Sequence, residues 1–67
     1  MQDKLRAKYL KYKAITGTTN QFIADAIQTS RTTISRFSDG KRLLNITTAQ
    51  KLDIFISKSI ENLIDLK

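Results

Sequence analysis

The 67-residue sequence contains neither cysteine nor histidine. Without cysteine there is no disulfide framework and no thiolate metal site, and without histidine the commonest general base and metal ligand is missing. The six acidic residues are scattered, and no two lie close enough in sequence to indicate a paired catalytic site. We therefore expect a protein that is not an enzyme, holds no metal or cofactor and takes no small-molecule ligand.

Proline is also absent, and there are only two glycines. No stretch shows the apolar–polar alternation between turns that is typical of a strand. No apolar run approaches the ~20 residues of a membrane span, and the first residues lack the apolar core of a secretory signal. These absences predict one all-α domain over residues 1–67, cytoplasmic and without membrane contact.

Positive charge is concentrated in the first two-thirds of the chain. Residues 1–42 carry nine basic and three acidic side chains, a net +6, whereas residues 43–67 carry three of each, a net of zero. An excess of lysine and arginine on one part of a small domain is typical of a nucleic-acid-binding surface. Solvated basic helix faces give the same composition, so charge alone does not decide between them.

Hydrophobic spacing and helix punctuation predict four to five helices. They span residues 2–16, 20–27, 31–37 and about 45–66, the last being one helix or two that divide near residue 58. Thr19, Ser30 and Asn45 are the predicted N-caps, and Gly17 and Gly40 the predicted stops. The expected inward positions are Leu5, Tyr9, Tyr12, Ile15, Ile23, Ala24, Ile27, Ile34, Phe37, Ile46, Ala49, Leu52 and Ile56.

The stretch TSRTTISRF, residues 29–37, has two arginines, five hydroxyl side chains and no acid. Only Ile34 and Phe37 can hold the helix of this stretch to a core, so the outer face of the helix is free to bind a partner. Two short helices joined by a turn of a few residues form a helix-turn-helix. In that arrangement the second helix enters the DNA major groove.

GTTNQFIADAIQTSRTTISRFSDGK, residues 17–41, resembles the core of the Cro/C1-type helix-turn-helix family of phage and plasmid repressors. The matching positions are Gly17, Thr19, Ile23, Ala24, Ser30, Thr33, Ile34, Ser35, Phe37, Gly40 and Lys41. Four positions depart from the family pattern: Thr18 for an apolar residue, Asn20 for glutamine, Gln28 for a left-handed glycine and Ser38 for glutamate. The resemblance implies a compact, lambda-repressor-like domain of four to five helices, with the motif at about 19–38 and a C-terminal helical part at about 45–66.

The resemblance also implies roles for individual residues. The base-contacting positions of the family fall on Arg31, Thr32 and Arg36. Thr33 and Ser35 would reach a base or a phosphate, and phosphate contacts fall on Thr19, Asn20, Ser30, Lys41 and Arg42. The implied function is a sequence-specific, double-stranded DNA-binding transcriptional regulator, a Cro-like repressor of a pseudo-palindromic operator. Because the sequence holds no second domain to sense a ligand, we expect regulation by concentration alone.

The C-terminal part has more apolar residues than one face of a short helix can bury. Ile54, Ile64 and Leu66 form a candidate dimer interface, and we expect a homodimer at least on DNA. The alternative is a tail that folds back on the first helix, over Leu5 and Tyr9. Phe22 stands where the family has a polar residue, and we consider it a candidate contact to a DNA sugar or to a partner.

Two other functions fit the same fold. One is a protein-binding module, an antitoxin or inhibitor, which the apolar excess favours and the basic recognition helix opposes. The other is an excision or architectural factor that binds DNA with little sequence preference. RNA is a weaker candidate because the A-form major groove excludes a helix.

Overall fold

The computed structural model describes the backbone of residues 2–65 and the side chains of residues 2–60, and these form four α-helices. The helices are α1 (Asp3–Thr16), α2 (Asn20–Ala26), α3 (Arg31–Ser38) and α4 (Ile46–Asp65). Residues 2–65 include no strand, which confirms the all-helical prediction. The Cα radius of gyration is 11.3 Å, and a compact chain of this length is expected to have about 11 Å.

Three helices begin at the predicted N-caps. The side chains of Thr19, Ser30 and Asn45 each accept a hydrogen bond from the amide three residues ahead, at 3.1, 3.1 and 2.8 Å. Each bond satisfies an amide that has no partner inside its helix. These caps fix where α2, α3 and α4 start, and the sequence had marked all three.

The two glycines follow α1 and α3 and adopt left-handed backbone conformations. Gly17 has φ 69° and Gly40 has φ 77°, a region that costs glycine nothing. After α3, the amide of Lys41 donates to the Arg36 carbonyl at 2.9 Å and that of Gly40 to Phe37 at 3.0 Å. This pair of bonds is a Schellman ending, and it sets the direction in which the chain leaves α3.

The last helix is continuous. The sequence left open a division near Lys58, but α4 runs for 20 residues from Ile46 to Asp65. No glycine or proline lies inside this range, so nothing in its sequence stops the helix. No helix within the described residues has both the length and the apolarity to cross a membrane.

The core lies where α1 packs against α3 and α4, and where α2 packs against α3. Its buried members are Tyr9, Tyr12, Ile23, Ala24, Ile27, Ile34, Phe37, Leu44, Leu52 and Ile56. Nine of these ten were expected from helical spacing; Leu44, in the loop before α4, was not. Leu5, Ala49, Phe55 and Ile60 pack around the edge.

Two expected inward residues are exposed, so those predictions were wrong. Ile15 is 64% exposed and Ile46 is 76% exposed. Each lies at the end of a helix, three residues from the nearest member of its predicted stripe. Ile34 and Phe37 have the same spacing and are both buried, so the spacing is not the cause. Ile15 and Ile46 lie in the terminal turns of α1 and α4, beyond the packed part of each helix.

Candidate nucleic-acid interface

The outer face of α3 carries exposed polar side chains. Ile34 and Phe37 are fully buried and hold the helix to the core. Arg31, Thr32 and Arg36 are exposed, and within the described part of the chain their side chains form no hydrogen bond or ion pair. The structure therefore leaves the donors of all three predicted base-contacting residues available to a ligand.

Thr33 and Ser35 are only partly exposed. The hydroxyl of Thr33 lies 2.8 Å from the hydroxyl of Ser30, and the backbone amide of Thr33 donates to the same Ser30 oxygen at 3.1 Å. Thr33 thus completes the cap at the start of α3. An outside ligand meets Arg31 and Thr32 before it meets Thr33.

The connection between α2 and α3 turns through a left-handed glutamine. Gln28 has φ 61° and is the one described residue other than glycine with positive φ. The amide of Thr29 donates to the Ala24 carbonyl at 2.8 Å, and that of Gln28 to Asp25 at 3.3 Å, which is again a Schellman ending. The turn therefore takes the left-handed geometry expected of this position, although the residue there is not glycine.

The start of α2 is tied to α1 through the side chain of Asn20. Its oxygen accepts from the Tyr9 hydroxyl at 2.6 Å and from the Lys13 ammonium at 2.8 Å. Both partners are donors, so the carboxamide oxygen must face them. The –NH₂ group of Asn20 forms no hydrogen bond within the described residues and remains available to an acceptor such as a phosphate oxygen.

Tyr9 is buried beneath this contact. Burial, and to a smaller extent the neighbouring Tyr12, raises the pKa of the Tyr9 hydroxyl from 10.0 to about 12. The Lys13 ammonium lies 5.6 Å from the centre of the Tyr9 ring, within cation–π range. Tyr9 stays protonated at neutral pH and serves as a fixed donor to Asn20.

A cationic loop, residues 41–45, joins α3 to α4. Lys41 and Arg42 are exposed and unpaired within the described part of the chain. Leu44 is buried, and its backbone amide and carbonyl both bond to the side chain of Gln2, at 2.8 and 2.7 Å. The sequence marked the two cations but gave no sign of the glutamine that holds their loop.

The lysines of α1 do not share one role. The Lys8 ammonium donates to Asp53 at 2.7 Å and to Ser57 at 2.8 Å, both on α4. Lys8 therefore links α1 to α4, whereas Lys4 and Lys11 are exposed lysines without a partner among the described residues.

An apolar surface lies on α2 and α4. Phe22 is 57% exposed and Ile54 is 54% exposed, and the rings of Phe22 and Phe55 meet at 6.5 Å between centres. Ile54 was a predicted dimer-interface residue. The side chain of Ile64 and all of Leu66, the other two, lie outside the described residues.

No three or more potential metal ligands come together among the described side chains. Comparisons with protein-family models, with curated proteins and with solved structures found no match to this chain.

Proposed function

We propose that this protein is a sequence-specific, double-stranded DNA-binding transcriptional regulator of the Cro/C1 type. In this proposal α2 and α3 form a helix-turn-helix, and α3 lies in the major groove. One observation carries it: Arg31, Thr32 and Arg36 are exposed and unpaired on a helix anchored only by Ile34 and Phe37. Such a helix presents side-chain hydrogen-bond donors that no other part of the described chain uses.

The chemistry of these side chains suits base edges. The guanidinium of Arg31 or Arg36 can donate two hydrogen bonds to O6 and N7 of one guanine, which is worth about 1–3 kcal/mol of discrimination. Thr32 can bond a base or pack its methyl group against thymine. A half-site containing at least one guanine follows from this assignment.

Phosphates would be held on both sides of α3. Asn20 offers its free –NH₂ group, and Lys41 and Arg42 offer exposed, unpaired positive charges. The hydroxyl of Thr19 accepts a hydrogen bond from a helix amide and still has a proton to donate. The hydroxyl of Ser30 also accepts from a helix amide and shares a second hydrogen bond with the Thr33 hydroxyl. Contacts of this kind fix the register of a protein on the duplex, whereas base contacts specify the sequence.

Operator binding by a homodimer is part of the proposal. The exposed Ile54 and Phe22 supply apolar surface of the kind that two copies can share. Two symmetric copies would read a pseudo-palindromic operator, and promoter occupancy would repress transcription. A repressor of this design responds to its own concentration.

A second candidate function is protein binding, favoured by the same exposed Phe22 and Ile54. A module of that kind would dock a partner on the α2–α4 surface and make no use of Arg31 and Arg36. A low-specificity excision or architectural factor would use the cations without reading bases.

Duplex discrimination tests the proposed function directly. The protein is titrated into labelled duplex DNA and duplex RNA of equal length in equal salt. A helix that enters the B-form major groove binds DNA at least about tenfold more tightly, since the A-form groove is too narrow for it. Equal binding to both duplexes indicates charge attraction alone, and binding to neither favours the protein-binding candidate.

A further inference from the structure

We propose that Gln2 is a positioning residue for DNA binding, which sets where Lys41 and Arg42 of the cationic loop meet the phosphate backbone. This inference rests on the proposed function. It assigns a role at the interface to a residue 42 positions away from the loop residue that it contacts.

The contact is a two-point clamp on a single residue. Gln2 Nε2 donates to the Leu44 carbonyl at 2.7 Å, and the Leu44 amide donates to Gln2 Oε1 at 2.8 Å. The carboxamide thus satisfies both backbone groups of Leu44 at once. The Leu43–Leu44 and Leu44–Asn45 peptide planes are therefore both held, and this limits the freedom of the backbone that follows Arg42.

Gln2 is used for this loop and not for its own helix. It occupies the N-cap position of α1, with φ −105° and ψ 19°, and its side chain makes no capping bond. The other three helices follow the usual preference for a short polar cap, with Thr19, Ser30 and Asn45. The long side chain at the start of α1 therefore reaches away from its helix to the loop.

The rest of the loop is fixed at its ends. The Lys41 amide bonds to α3 at 2.9 Å, and Asn45 caps α4 at 2.8 Å. The guanidinium of Arg6 lies over Gly40, where an added Cβ would be 3.6 Å from its central carbon. With the clamp in place, the loop has little freedom to lose when it binds, and such preorganisation strengthens binding.

The test is a set of six proteins, two parent chains and four substituted ones, assayed on one duplex at several salt concentrations. Gln2→Met keeps the side-chain length and removes both hydrogen bonds. Gln50→Met is the matched control, since Gln50 is an exposed glutamine of α4 whose side chain forms no hydrogen bond in the described chain. Each substitution is made in the native chain and in the Lys41→Ala/Arg42→Ala background, at a temperature where circular dichroism shows every variant folded.

We expect Gln2→Met to weaken binding of the native chain by about threefold to tenfold and to reduce the salt slope by about one. In the Lys41→Ala/Arg42→Ala background it should cause no further loss, because residues that act through one another are not additive. Gln50→Met should leave duplex binding and its salt slope unchanged in both backgrounds. If Gln2→Met does not fold, Gln2→Glu compared with Gln50→Glu repeats the test with only the Leu44 amide bond retained.

Equal losses in both backgrounds, or no loss in either, overturn the inference. So does a Lys41→Ala/Arg42→Ala chain that binds like the native one while Arg31→Ala is impaired, a result that leaves the proposed function standing. If the native protein binds no duplex, the proposed function fails and the inference fails with it.

Discussion

The hydroxyl of Tyr9 donates a 2.6 Å hydrogen bond to the side-chain oxygen of Asn20, and this bond joins the buried face of α1 to the first residue of α2. Tyr9 has no exposed surface. The start of α2, and with it the orientation of the α2–α3 pair, depends on this bond. Tyr9 can donate it only while its hydroxyl is protonated.

Alkaline pH should therefore destabilise the fold through Tyr9. The pKa of Tyr9 is raised from 10.0 to about 12, so between these values the unfolded chain loses a proton that the folded chain keeps. The contribution of Tyr9 to the free energy of unfolding is complete below pH 10. Above pH 10 it decreases by up to about 1.4 kcal/mol per pH unit. Urea unfolding of native protein and Tyr9→Phe across this range measures the difference.

Tyr9→Phe should be less stable than the native protein at neutral pH by about 1 kcal/mol, the usual worth of a hydrogen bond. That deficit should shrink as the pH rises past 10, because the hydroxyl of Tyr9 is the only titratable group that the substitution removes. Parallel stability curves up to pH about 12 would mean that Tyr9 has no special linkage to folding.

Replacing the left-handed Gln28 by glycine should make the protein more stable. A left-handed conformation costs an ordinary residue about 1–2 kcal/mol, and glycine avoids this while losing part of the gain as unfolded-chain entropy. Gln28→Gly should raise the free energy of unfolding by about 0.5–1 kcal/mol. The matched Gln50→Gly, inside α4, should lower it by about 1 kcal/mol. Destabilisation by both would show that the Gln28 side chain, and not its backbone, matters for the turn.

Much of the fold could be read from local signals. Thr19, Ser30 and Asn45 are short polar residues before apolar-periodic runs, and Gly17 and Gly40 follow such runs, so the helix ends depend on their immediate neighbours. The prediction that Ile46 is buried failed because helical spacing alone does not show which terminal residue lies beyond the packed face. Of the adjacent Leu43 and Leu44, only Leu44 is buried, and two neighbouring leucines in a loop give no period from which to choose.

The candidate site was predictable where it depends on α3 alone. Arg31 and Arg36 stand out because Ile34 and Phe37 fix which side of the helix is inward. The support behind the site was not predictable: Gln2 meets Leu44 across 42 positions and Lys8 meets Asp53 across 45. Polar contacts at such separations leave no pattern in one sequence.

Removing Arg31 should relax base discrimination. Arg31→Ala should cost about 1–3 kcal/mol on a preferred duplex and less on unrelated duplexes, whereas Lys41→Ala should weaken all duplexes equally and reduce the salt slope by about one. Fluorescence anisotropy on both kinds of duplex separates these outcomes. A uniform loss from Arg31→Ala would place Arg31 on a phosphate.

Charge on the α2–α4 surface should disrupt pairing of two copies. Ile54→Arg, at a 54% exposed position, should leave the melting temperature nearly unchanged and abolish the step in which two copies bind one duplex together. Leu10→Arg, on α1 and 45% exposed, adds the same charge and should have no such effect. Gel-shift stoichiometry on duplexes with one and two half-sites reads this out. If two copies of Ile54→Arg still bind one duplex together, Ile54 does not belong to the dimer interface.

Selection from a randomised duplex pool at roughly physiological salt, followed by sequencing of the retained DNA, tests the central claim that α3 reads bases. The account predicts an enriched inverted repeat with half-sites about 10 base pairs apart, each with a guanine whose enrichment disappears with Arg31→Ala or Arg36→Ala. Retained DNA without an enriched motif, or no retained DNA, would contradict it.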